Sequence, residues 1–115
     1  MEVWNNTFSN NTQGLEINDS AAASIRYNIF LNNSVGLALD SATSVASFGT
    51  YGESSNNFTN NTYGIYARGS TADFGITGSF TGNDYGIYFY DTSIDITQID
   101  SVNDSLYGIF IEGSS

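Results

Sequence analysis

Five times along this chain an apolar residue is followed six positions later by a glycine: Phe8/Gly14, Phe30/Gly36, Phe58/Gly64, Phe80/Gly86 and Val102/Gly108. The glycines are 22, 28, 22 and 22 residues apart. A period of this length makes each repeat one supersecondary unit that cannot bury its apolar face alone and has to stack on its neighbours. The constraint falls on architecture rather than on activity, and nothing else in the sequence names a reaction.

Positions are counted here from each repeat glycine. Position +1 reads Leu15, Leu37, Ile65, Ile87 and Ile109, and +3 reads Ile17, Leu39, Ala67, Phe89 and Ile111. Between them, +2 reads Glu16, Ala38, Tyr66, Tyr88 and Phe110. Period-two alternation is the mark of a strand, so +1 and +3 are predicted to point inward and +2 outward. Upstream, −3 reads Asn11, Asn33, Asn61, Asn83 and Ser105, −4 reads Asn10, Asn32, Asn60, Gly82 and Asp104, and −8 reads Asn6, Asn28, Asn56, Gly78 and Asp100. Each unit is therefore a short strand around the apolar −6 residue, a polar bend, a second strand from the glycine, and a looser third segment.

A repeat of 22 residues is too short for a propeller blade, which needs four strands and roughly 40 residues. The helical spacing of ankyrin or TPR units is missing, and so are the leucine pattern and helical half of leucine-rich repeats. What remains is a coil of strands, each pairing in parallel with its equivalent one turn on. At about 4.8 Å per strand, five turns give a rod on the order of 24 Å long.

The asparagine columns agree with a stacked coil. At a bend, asparagine tolerates left-handed backbone and can pass hydrogen bonds from one amide to the next along the axis, as in stacked cross-β ladders. Asn11, Asn33, Asn61 and Asn83 are expected to form such a ladder. The repeat glycines Gly14, Gly36, Gly64, Gly86 and Gly108 fit a bend that needs either positive φ or close backbone approach.

The segments NTFSNNTQGLEI, NIFLNNSVGLAL, NFTNNTYGIYA and SFTGNDYGIYF resemble the parallel β-helix repeat of NosD-like and pectate-lyase-like proteins, members of the right-handed parallel β-helix superfamily. The resemblance covers nearly the whole chain and implies fold rather than activity. Right-handedness follows from it and from the strong bias of parallel crossovers. The fold class expected is all-β: a single right-handed parallel β-helix, or β-solenoid, of about five turns with 22 residues per turn. Residues 1–115 form one such domain, with a loop insertion around 42–55 where the repeat interval lengthens to 28. Gly49, Gly52 and the serines there suggest a protruding loop.

No amphipathic cap is evident at either end, and open coil ends expose unpaired backbone. Three explanations stay open: the chain is a piece of a longer helix, its irregular ends cap it with Trp4 over the first turn, or its ends pair with other copies into a filament.

Net charge is −10, with Arg26 and Arg68 the only basic residues. That argues against nucleic acid and anionic membrane surfaces, which call for basic patches, and it favours solubility of an edge-rich protein. There is no cysteine, hence no disulfide or thiolate metal site. No apolar run is long enough to span a bilayer, and any signal peptide lies outside this sequence. An extracellular or cell-surface location is expected. Asn-x-Ser/Thr sequons stand at Asn5, Asn10, Asn18, Asn32, Asn57, Asn60 and Asn103. The repeat itself generates such triplets, and those at bends inside the asparagine ladder are expected to be unmodifiable without breaking it.

The outward +2 column ends in Tyr66, Tyr88 and Phe110, with Tyr90 two residues beyond Tyr88 on the same side. The −1 column adds Tyr63, Tyr85 and Tyr107, whose direction is undecided because the bend interrupts alternation. Stacked rings stabilise a sheet face, and exposed aromatic strips also mark contacts with sugars or proteins. Tyr66, Tyr88, Phe110 and Tyr90 are therefore the candidate binding face. Asp19 and Asp91 share position +5 more than two turns apart, and Asp91, Asp95, Asp100 and Asp104 are spread around a turn. A calcium site needs six to eight converging oxygens, so no metal and no cofactor is expected.

The resemblance offers one more test. Related β-helix enzymes that cleave polyuronates use calcium-binding acids with a basic residue, or an aspartate cluster with a histidine. This chain has no histidine and no lysine, Arg26 and Arg68 fall in different columns, and Asn83-Asp84 matches the hydrolase motif only loosely. Glycoside hydrolysis needs at least a facing carboxylate pair. No catalytic residue is assigned. The expectation is a non-catalytic structural solenoid, self-associating end to end or forming part of a stalk. The alternative is a carbohydrate-binding module, or a remnant of a polysaccharide-processing protein, meeting a glycan or surface protein. An ice-binding surface is not expected, because no regular outward threonine column is present.

Overall fold

The computed structural model describes residues 2–18, 24–40, 56–69, 71–72, 78–91, 93–94, 101–103 and 106–113. The insertion expected around 42–55 lies outside them, as does Ser105 of the −3 column.

All regular structure among the described residues is strand, arranged in rungs. Rung 1 holds β1 (Glu2–Trp4), β2 (Thr7–Ser9) and β3 (Gln13–Asn18), and rung 2 holds β4 (Ser24–Arg26), β5 (Ile29–Leu31) and β6 (Val35–Asp40). Rung 3 holds β7 (Asn56–Thr59), β8 (Tyr63–Arg68) and β9 (Thr71–Ala72), and rung 4 holds β10 (Gly78–Thr81), β11 (Tyr85–Tyr90) and β12 (Ser93–Ile94). Rung 5 holds β13 (Ser101–Asn103) and β14 (Tyr107–Glu112).

Two five-stranded sheets run the length of the stack, β2-β5-β7-β10-β13 and β3-β6-β8-β11-β14, with two-stranded pieces β1-β4 and β9-β12 beside them. Every pairing is parallel and joins equivalent positions: Phe8 to Phe30 to Phe58 to Phe80, and Leu37 to Ile65 to Ile87. The chain is a parallel β-solenoid. Five rungs are stacked and about three complete turns are traced, slightly fewer than the five expected from the glycines.

The inside is a column of rings. Phe8, Phe30, Phe58 and Phe80 stack with centroids 5.1, 4.7 and 4.7 Å apart, the last two pairs within 3° of parallel. Ile17, Leu37, Leu39, Ile65, Ala67, Ile87 and Phe89 pack against that column. Burying each of these larger side chains stabilises the fold by roughly 1.5–3 kcal/mol. The inward +1 and +3 positions are thus the core, as alternation predicts. In rung 5, however, Ile109 is 42% and Ile111 57% exposed, because no described strand stacks beyond β14.

The repeat glycines resolve the alternative left by the sequence in favour of close approach. A Cβ on Gly36 would stand 2.6 Å from the Gly64 carbonyl oxygen, and one on Gly64 would stand 2.5 Å from that of Gly86. No side chain larger than hydrogen fits where one rung's backbone lies on the next. Left-handed backbone is used instead at −4, by Asn10 (φ 60°), Asn32 (57°), Asn60 (55°) and Gly82 (69°), and at the preceding bend by Asn5 (54°) and Tyr27 (57°).

Candidate functional site

At this bend in rungs 1–3 asparagine does two jobs, and neighbouring residues divide them. The left-handed residue turns the next amide toward the same side as its own. Asn32 N–H donates to the Thr59 carbonyl of the next rung at 3.1 Å, whereas Ser34 N–H donates back to Asn11 in the previous rung. The Asn33 N–H between them also faces the next rung, and it donates to the side-chain oxygen Oδ1 of Asn61 at 2.9 Å. A buried backbone donor left without such an acceptor would be costly. Asn11 donates in the same way to Asn33, and Asn61 to Asn83, each at 2.9 Å. The amide nitrogens complete the set: Asn33, Asn61 and Asn83 donate through Nδ2 to the carbonyls of Phe8, Phe30 and Phe58. Asn33, Asn61 and Asn83 are buried.

A second ladder of the same kind stands at −8. Asn6 and Asn28 donate from their backbone to Oδ1 of Asn28 and Asn56, each at 3.0 Å, while Asn28 and Asn56 donate through Nδ2 to Val3 and Ile25. The sequence carried its signal: in rungs 1–3 the two ladder asparagines are five residues apart, Asn6/Asn11, Asn28/Asn33 and Asn56/Asn61.

The division of labour corrects the expectation for the sequons. Their acceptors at the bends, Asn10, Asn32 and Asn60, are the left-handed residues just before the ladder, and all three are exposed. The ladder members are the next residues along. Modification at these acceptors is therefore compatible with an intact ladder.

On the outer side of the second sheet, both tyrosine columns face solvent. The glycine and the +1 residue turn inward in succession, as Gly64 and Ile65 do, so −1 and +2 come out on one side. Tyr66, Tyr88 and Phe110 stack at 5.0 and 5.1 Å, and Tyr63, Tyr85 and Tyr107 stack at 4.9 and 5.2 Å. Within each rung the columns meet edge to face, as in Tyr63–Tyr66 (5.3 Å, 89°) and Tyr85–Tyr88 (5.6 Å, 84°). Edge-to-face and offset stacking both suit the ring quadrupole. The result is a herringbone of six rings over rungs 3–5, half-buried except for the more exposed Tyr107.

Two phenols on this face resist ionisation. Burial pushes Tyr63 up, helped by the neighbouring Tyr85, Tyr66 and Asp84. The Tyr88 hydroxyl donates to the Glu112 carboxylate, which pushes it up to about 12. Tyr90 follows on the same strand, 42% exposed and in register between Arg68 and Glu112. Of the +2 column, Glu16 is exposed, as expected of an outward position, but Ala38 is only 5% exposed. Its methyl is too short to clear its neighbours.

Trp4, offered by the sequence as a cover for the first turn, stands on the outer side of β1. It is 45% exposed, with the Arg26 guanidinium 4.8 Å from its ring centre. Among the described residues no group of three or more His, Cys, Asp or Glu is placed to hold a metal ion, and no helix is long and apolar enough to cross a membrane. Set against family models, curated proteins and solved structures, the chain matches none of them.

Proposed function

We propose that this chain is a non-catalytic structural β-solenoid of the right-handed parallel β-helix superfamily. It lies outside the cell or at its surface, and its fifth rung takes up a further rung, supplied by another copy or by the continuation of a longer stalk. One contrast carries the reading. The inward residues Leu37, Leu39, Ile65 and Ile87 of rungs 2–4 are fully covered, while their equivalents at the last rung, Ile109 and Ile111, are 42% and 57% exposed beside the outer edge of β14. An open strand edge is a template for pairing, and a contact that does not close produces a filament. With a net charge of −10, copies repel at long range, so joining strengthens as salt screens the charge.

Light scattering after size exclusion, with negative-stain microscopy, tests this. Filaments or a ladder of multiples support end joining, and deletion of residues 2–23 abolishes them. A monomer at every salt concentration, or a deletion variant that still polymerises, overturns it.

A second reading rests on the six-ring herringbone: a face that binds glycan, as aromatic strips on a rigid sheet suit sugar rings. Its test is a glycan array with the Tyr66→Ala and Tyr88→Ala variants, which lose binding while keeping the fold. Binding equal to that of the parent removes this reading. Neither reading involves nucleic acid or insertion into a membrane, in keeping with two basic residues against twelve acidic ones.

A further inference from the structure

The outer aromatic column breaks off at a step, and the step encloses a space. Ala38 is the direct register partner of both Tyr66 and Glu16. Tyr66 lies flat on Tyr88, 5.0 Å away and 5° from parallel, so its second face looks along the axis toward rung 2. There the column offers only a methyl group. A cavity of about 140 Å³ fills the step, lined by Gln13, Glu16, Ala38, Asp40, Tyr66 and Arg68. Two rungs separate Glu16 from Tyr66, roughly 9.6 Å at the usual strand spacing, which leaves room for one ring between them.

We propose that this notch binds one neutral pyranose ring, its C–H face on Tyr66 and its hydroxyls held by Glu16, Asp40 and Arg68. The proposal rests on the glycan-binding reading of the face and adds the place and the class of sugar. The chemistry of the lining selects the occupant. A wholly apolar ring would desolvate charged groups without giving them hydrogen bonds. A pyranose presents an apolar face to the tyrosine, and around its edge hydroxyls that both donate to carboxylates and accept from a guanidinium. Asp40 and Arg68 are adjacent across the β6–β8 register, so an acceptor and a donor stand side by side for neighbouring hydroxyls. Two carboxylates against one guanidinium disfavour a uronate.

The test is saturation-transfer NMR and calorimetry with glucose, galactose, mannose and N-acetylglucosamine, and with galacturonate as the charged comparison. At least one neutral sugar is expected to bind and to shift the Tyr66 ring resonances, with galacturonate weaker by at least about tenfold. Ala38→Tyr fills the notch and prolongs the stack, so it abolishes binding without lowering the melting temperature. If Ala38→Tyr binds like the parent while Tyr88→Ala does not, the sugar lies on the open strip; the notch is then wrong and the wider reading stands. If none of the sugars binds the parent, both fall. Should Ala38→Tyr fold poorly, the Tyr66 resonances decide: no shift at saturating sugar rejects the notch.

Discussion

Phe30, Phe58 and Phe80 stack inside the coil with centroids 4.7 Å apart, and Tyr66 and Tyr88 stack outside it at 5.0 Å. The spacing is nearly the same because strand pairing imposes it on both columns. The surroundings differ. The phenylalanines are 0% exposed, with aliphatic side chains around them, whereas the tyrosines are half-buried and lean on a second column edge to face. Repetition alone thus brings like residues face to face, and burial decides how much stability the contact contributes. A ring column is consequently no sign of function by itself; the outer one matters because one side of it is left to solvent.

Four experiments bear on that contrast. Phe58→Ala removes the middle of the inner stack and leaves a cavity between two rungs, at a cost of about 3–5 kcal/mol in denaturant unfolding. Asn61→Ala keeps both ring columns but deprives the Asn33 N–H and the Phe30 carbonyl of their partners. With about 1–3 kcal/mol for each buried group left unsatisfied, the loss is expected to be about 2–6 kcal/mol, and amide exchange at Asn33 accelerates. Tyr85→Ala removes the centre of the outer herringbone and costs about 1–2 kcal/mol. A loss as large as that of Phe58→Ala would erase the distinction between the columns.

The smallest effect is on pH dependence. Tyr88 is raised to about 12 and Tyr63 is raised as well. Below pH 10 both phenols are neutral whether the chain is folded or not, so their contribution is fully present. Between pH 10 and 12 the unfolded chain loses the Tyr88 proton first, and folding stability declines through that window. Melting temperatures across pH 9–12 should show a shallower decline for Tyr88→Phe than for the parent. Parallel curves would mean that the bond to Glu112 does not persist in solution.

Much of this was open to a reader of the sequence. The Phe8/Gly14 spacing and its four repetitions specify which residues lie above one another, and alternation at +1 and +3 identifies the core. The direction of Tyr63, Tyr85 and Tyr107 was not legible, because alternation fails where Gly64 and Ile65 both turn inward. The roles of adjacent asparagines were merged for a similar reason. Asn32 and Asn33 are the same residue type, and only backbone geometry shows that one bends the chain while the other satisfies it. Tyr27 takes up left-handed backbone where rung 1 uses Asn5, a substitution that composition-based turn rules do not anticipate. The notch at Ala38 was hidden by its own column: an alanine among tyrosines reads as a weaker strand position until the neighbouring ring is seen to face it.

The asparagine ladders give the molecule a direction. In each of them the backbone donor belongs to the earlier rung and the side-chain acceptor to the later one, from Asn11 through Asn33 and Asn61 to Asn83. The stack is in that sense one-way, like a row of arrows. Two copies meeting rung 5 to rung 5 across a two-fold axis would set arrowhead against arrowhead. Only a tail-to-head meeting continues the series, so any lengthening of this solenoid is polar and adds at two chemically different tips.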